Sequence, residues 1–190
     1  MLDAYFDSEN FIKIDFNKTN LKKGEYDNCI FEQCNFENTN LSNSHFIECE
    51  FVDCNFSNSI VKNTAFRAVK FSKSKMIGIK FYECNTFLLN FTFDNCQLNF
   101  SSFYKLKIPQ TLFNECNLEE VDFTEANLNN SRFHISNFNN AIFNETNLEK
   151  TDFKTAFNFS IDPENNMLKS AKFSKENIGG LLSKYKVIIE

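Results

Sequence analysis

The residue types able to do nucleophilic, redox or metal chemistry are seven cysteines, Cys29, Cys34, Cys49, Cys54, Cys84, Cys96 and Cys116, and two histidines, His45 and His134. Their spacing argues against all three roles. A metal site draws ligands two to four residues apart or several converging histidines, and neither pattern occurs. A catalytic histidine needs a nucleophile or a carboxylate presented with it, and nothing places one beside His45 or His134. Gly179-Gly180 lacks the further glycines, the lysine and the preceding strand of a phosphate loop. The expectation is a protein that is not an enzyme, with no catalytic, cofactor or metal residues and no evident small-molecule substrate.

The elements that position these residues follow from an internal period of five. One unbroken register runs Phe6, Phe11, Phe16, Leu21, Tyr26, Phe31, Phe36, Leu41, Phe46, Phe51, Phe56, Val61, Phe66, Phe71, Met76, Phe81. A second, shifted by two, runs from Leu88 through Phe93, Leu98, Phe103, Ile108 and Phe113 to Phe153. Neither the helical period of 3.6 nor the strand period of 2 produces this. Two positions before most central residues sits a small side chain, and all seven cysteines take that place. They are expected to be reduced, buried fillers, although pairs twenty apart, such as Cys29 and Cys49, stack near disulfide range.

Small residue, Asn or Asp, Leu or Phe, then two polar residues is the unit of the pentapeptide-repeat family, which this sequence resembles over about residues 6 to 157. The resemblance implies an all-β fold: a right-handed quadrilateral β-helix in which each pentapeptide makes one side and four make a coil. Positions twenty apart then stack about 4.8 Å apart. Reading the register break between 82 and 92 as a two-residue insertion aligns Phe11, Phe31, Phe51, Phe71, Phe93, Phe113, Phe133 and Phe153 on one face. About eight coils at that rise make a rod of roughly 38 Å. Residues 1–157 form the repeat domain and residues 158–190 a C-terminal cap and dimerisation segment.

In the cap, Ser174 is placed to start a short helix in which Ile178, Leu181, Leu182 and Tyr185 share a face, and Val187-Ile188-Ile189 reads as a terminal strand. An open solenoid end needs such a cover. This tail looks like the C-terminal segment of the Qnr-type quinolone-resistance members. That resemblance implies a homodimer through Ile178, Leu181, Leu182, Tyr185, Val187 and Ile189. It also implies an acidic surface that resembles duplex DNA and engages DNA gyrase or topoisomerase IV.

The formal charge of -5 weighs against direct nucleic-acid binding and against an anionic membrane surface. The N-terminus lacks a secretory pattern and no run of about 18 apolar residues occurs, so a soluble, cytoplasmic protein is expected. Charge is uneven along the chain: net -7 over 1–60, +6 over 61–110, -5 over 111–160 and +1 over 161–190. Duplex DNA of ~38 Å carries on the order of 22 charges, so any mimicry has to be local. Glu115, Glu119, Glu120, Glu125 and Glu145 are the candidates. A different class of function, a generic interaction scaffold, would use the basic waist and its outward aromatics Tyr82, Phe87, Phe100 and Tyr104.

Overall fold

The computed structural model describes residues 4–188. The five-residue period becomes a quadrilateral β-helix whose coils pair in parallel, residue on residue. On the first side the strands Tyr5–Asp7, Glu25–Asp27, His45–Ile47 and Ala65–Arg67 form a four-stranded sheet. On the second, seven strands from Asn10–Ile12 to Arg132–His134 form one continuous sheet. The third and fourth sides are held by single parallel bridges, such as Asn35↔Asn55 and Ser102↔Asp122. The bridges continue into the C-terminal coils through Asp152↔Lys172.

Each side points its central residue into the lumen. Phe11 faces Phe31, Phe31 faces Phe51, Phe51 faces Phe71 and Phe71 faces Phe93, and the row continues through Phe113 to Phe133. Their rings stack with centroids 4.6 to 5.5 Å apart, and Phe173 adds a final ring over Phe153 at 5.3 Å. Rings on adjacent sides meet edge to face, as Phe46 and Phe51 do at 5.3 Å. This is the offset-stacked and T-shaped packing that the aromatic quadrupole favours.

The corners explain the asparagines. The second residue after most centres turns the chain with positive φ, between 49 and 59° at Asn28, Asn38, Asn58, Asn63, Asn95, Asn130 and Asn140. Asparagine tolerates this left-handed conformation better than other residues with a β-carbon.

The small inward position does more than save space. At many of these positions the side chain donates to the carbonyl of the central residue one coil below: Cys49 Sγ to Tyr26 O at 3.2 Å, Thr64 Oγ1 to Leu41 O at 2.9 Å, Thr146 Oγ1 to Phe123 O at 2.9 Å, whereas the Ser44 and Ser101 hydroxyls are buried without a partner among the described residues. Cys, Ser and Thr are interchangeable there because each is compact and carries a donor. All seven cysteines are free and buried. Burial pushes the Cys49 thiol up to about 12 and the Cys96 thiol up to about 11. Hydrogen bonding with Cys54 instead draws the Cys34 thiol down to about 7, but all seven sulfurs are buried, so none is expected to react with a disulfide exchange reagent at about pH 8 while the protein is folded, and all seven after denaturation. Prompt labelling of the native protein would contradict this.

The insertion lies between Asn85, which still bridges Ala65, and Phe91, which pairs with Val69. Residues 86–90 take the place that residues 66–68 hold one coil earlier, so a corner loop of two extra residues results. Here one expectation is corrected. Leu88 is not a central residue: it stands at the corner with φ 56° and is 65% exposed. Phe91, at a position otherwise held by small residues, turns inward instead and packs on Phe81 and Phe93 at 5.4 and 5.0 Å. One α-helical turn, Phe16–Thr19, also replaces a regular repeat in the first coil.

The cap differs from expectation as well. Residues 178–185 form two 3₁₀ turns, Ile178–Leu181 and Ser183–Tyr185, rather than an α-helix, and Val187 and Ile188 form no strand. Ile189 lies outside the described residues. Ser174 accepts the Asn177 N–H at 3.3 Å, closing a turn only. The cause is close approach. A β-carbon on Gly180 would meet the Phe159 carbonyl at 2.4 Å, and Ile161 N–H donates to Gly180 O at 3.0 Å. The tail is thus pressed across the last coil, pinned by Asn177 Nδ2 donating to Phe153 O and Ala156 O at 2.7 and 2.9 Å.

Candidate interaction surfaces

Among the described residues no group of three or more His, Cys, Asp or Glu is placed to hold a metal, and no helix is long and apolar enough to cross a membrane. What the structure offers is surface, sorted by side and corner. Because each coil returns after twenty residues, or twenty-two across the insertion, surface residues form vertical columns.

The five candidate glutamates fall on three such columns of corners and one side. Glu115, Glu120, Glu125 and Glu145 are all corner residues, with φ between 51 and 56°, and all are exposed. Glu115 precedes the third side, Glu120 follows it, and Glu125 and Glu145 stand one above the other after the fourth. Glu119, half-buried on the third side, accepts hydrogen bonds from Asn99 at 3.2 Å and Asn139 at 2.9 Å, which fix its carboxylate. Glu125 is partly neutralised by Lys105 at 3.3 Å. No lysine or arginine pairs with Glu115, Glu120 or Glu145 among the described residues. Asp122 lies between Glu120 and Glu125 and extends the same acidic flank.

Counting charge along the chain hides an opposite flank. In the same coils the second side carries Arg132, Lys154 and Lys172, with Lys150 at its edge. A groove of about 550 Å³ runs there, lined by Leu112, Arg132, Lys150, Asp152 and Lys172 with amide side chains around them. Leu112, Arg132, Asp152 and Lys172 are one column at intervals of twenty. The sequence contained that signal, visible only once it is wound at the coil length.

The waist aromatics do not form one patch. Tyr82 and Tyr104 meet edge to face at 6.3 Å on the fourth side, with Tyr104 Oη donating to Glu125 at 3.3 Å. Phe87 rises from the inserted corner loop, 65% exposed, and Arg67 covers its ring at 5.3 Å. Phe100 stands exposed at the corner before the fourth side.

Of the proposed dimer residues, Leu181 packs against the core, whereas Ile178, Leu182, Tyr185 and Val187 are exposed. Lys184 ties the tail down, 2.7 Å from both Asp162 and Glu164, and Tyr185 Oη donates to Glu164 at 2.8 Å. Hydrogen bonding to Lys184 holds both carboxyls below their ordinary range. A lowered folded-state pKa means that this stabilisation is present above the unfolded carboxylate value of about 4 and is lost as pH falls through the folded values. Hydrogen-exchange protection of the Ile161 amide, corrected for intrinsic rates, is expected to fall between about pH 6 and pH 3 more in the native protein than in Lys184→Met.

The fold and its corners define a protein class, a parallel β-solenoid with five-residue sides. The chain belongs to the pentapeptide-repeat family: the profile of the pentapeptide repeat region matches residues 24–91 and 85–153. Among solved structures it is similar to a trypsin-treated variant of QnrB1, a plasmid-mediated fluoroquinolone resistance protein, at 15% identity and TM-score 0.72, over 98% of this chain and 92% of that one. A second trypsin-treated QnrB1 variant matches at 17% identity and TM-score 0.51, over 98% and 100%. HetL, a pentapeptide repeat protein involved in heterocyst differentiation regulation from Nostoc sp. strain PCC 7120, matches at 11% identity and TM-score 0.49, over 90% and 88%. None of the curated proteins matches this sequence. At these identities the likeness is one of fold.

Proposed function

We propose that this protein is a non-enzymatic, cytoplasmic binding protein that engages a type II topoisomerase, DNA gyrase or topoisomerase IV, and protects it from quinolones. The contact is the acidic flank of its C-terminal coils. The observation that carries this reading is the gathering of Glu115, Glu119, Glu120, Asp122, Glu125 and Glu145 on the third and fourth sides and their corners, with Lys105 their one cationic partner among the described residues. Such a flank gathers negative charge around one coil, with Glu145 stacked one coil beyond Glu125, a local counterpart of a phosphate backbone. The fold it shares with a fluoroquinolone resistance protein supports the same reading. Two copies join through the exposed tail face of Ile178, Leu182, Tyr185 and Val187, which lengthens the rod.

The test is a gyrase supercoiling assay with a quinolone present and this protein titrated in. Restored supercoiling at micromolar protein, lost in Glu120→Lys/Glu145→Lys, is the expected result, and no effect of the native protein removes the reading. Leu182→Glu/Val187→Glu is expected to halve the mass seen in light scattering without unfolding the chain, since neither side chain is in the core.

A second reading, a scaffold for another protein, is favoured by one observation, the exposed Phe87 and Leu88 on the inserted loop. If Phe87→Ser abolishes the topoisomerase effect while Glu120→Lys/Glu145→Lys leaves it intact, the loop rather than the acidic flank is the contact.

A further inference from the structure

The second side of the C-terminal coils is unused by the acidic flank, and its groove has the makings of a ligand site. Arg132 and Lys172 occupy the same column two coils apart, about 10 Å at the ordinary strand spacing, and Lys150 projects from the corner between them. All three are exposed and none has an ion-pair partner among the described residues. Asp152 sits between Arg132 and Lys172 in the column, but its carboxylate turns to Lys154 at 3.5 Å. The floor includes Leu112, 39% exposed, and Gln110 and Asn130 add amide groups at the rim. The volume of about 550 Å³ falls in the range of small-molecule sites.

Three unpaired cations this close repel one another, an unfavourable arrangement that a multiply charged anion relieves. The cluster is also bounded. One coil below Leu112 and Asn114 the same side presents Asp94, further down Lys70 is already paired with Glu50 at 2.7 Å, and Glu115 stands at the adjoining corner. A long polyanion such as duplex nucleic acid meets these acids as it extends. A compact one does not. Cations spread over about 10 Å match several phosphoryl groups in a row better than one tetrahedral anion.

We propose that this groove binds a compact linear polyphosphate, as the free anion or as an ester such as a nucleoside triphosphate. The phosphoryl groups lie along Arg132, Lys150 and Lys172, and any organic part rests on Leu112. With a net charge of -5 the chain as a whole repels polyanions, so binding that does occur has to be local.

The probe is inorganic tripolyphosphate, titrated calorimetrically into the full chain at about 50 mM salt, beside ATP, orthophosphate and a hexa-aspartate peptide. The expected result is one tripolyphosphate per chain, at least tenfold tighter than orthophosphate and weakened with added salt. Arg132→Gln and Lys172→Gln are each expected to weaken it at least fivefold with thermal stability unchanged, and Lys62→Gln, on the fourth side, to leave it alone. ATP bound as tightly as tripolyphosphate places the ligand among the esters, and tripolyphosphate bound more tightly places it with the free anion. No heat at millimolar tripolyphosphate, equal affinity for orthophosphate or hexa-aspartate, or binding indifferent to Arg132→Gln and Lys172→Gln would each overturn the assignment.

Discussion

Phe91→Ala is expected to cost about 3–5 kcal/mol, whereas Leu88→Ala, three residues away, should change stability by less than about 0.5 kcal/mol. Read from the five-residue register, the two residues exchange roles, because Leu88 takes the central place and Phe91 a place for small side chains. In the folded chain the extra loop residues carry Leu88 outward, while Leu89 packs against the core and Phe91 is buried in it. Phe91 is 1% exposed and touches Phe81, Phe93 and Phe103 at 5.4, 5.0 and 6.1 Å. Its loss opens a cavity where two registers join, and the neighbouring rings, locked in their own stacks, cannot collapse into it. Urea unfolding of both variants measures the difference. Equal losses would mean that the loop packs otherwise.

Phe51→Ala is expected to be as damaging, again about 3–5 kcal/mol, and to lower Tm by about 10 °C or more. Phe51 stacks on Phe31 at 4.7 Å and Phe71 at 5.1 Å and meets Phe36, Phe46 and Phe56 edge-on at 5.8, 5.3 and 5.0 Å. Five ring contacts end with one truncation, and each of them also orders a neighbour. Phe51→Leu, which keeps most of the volume, should lose less than half as much. Thermal unfolding decides this, and a change of less than about 1 kcal/mol for Phe51→Ala would be incompatible with a filled lumen.

The rod itself was legible in the sequence because its determinants are local and repeated. One inward ring per side, a small donor two residues before it and a left-handed corner two residues after it recur until chance is no explanation. Leu88 was misread because periodicity cannot say how an insertion is accommodated. That depends on which ring best fills the lumen, a tertiary matter. The tail was misread for a related reason. Ile178, Leu181, Leu182 and Tyr185 have helical spacing, but Gly180 has to lie against Phe159, and that contact selects 3₁₀ turns over an α-helix.

The surface was legible only in part. Glu115 to Glu145 could be picked out as acidic, but net charge over a stretch of chain averages around the square. The value of -5 over residues 111–160 therefore concealed that Arg132 and Lys154 share one side, with Lys150 at its edge. Of the waist aromatics, Tyr82 and Tyr104 meet on one side as the coil spacing requires, whereas Phe87 and Phe100 stand at different corners.

The sorting of acids to the third and fourth sides and of bases to the second has an electrical consequence. The C-terminal half carries a permanent moment with a component directed across its width. In the field of a large charged assembly the rod will roll about its long axis before contact, and it will arrive with one flank already turned toward its target.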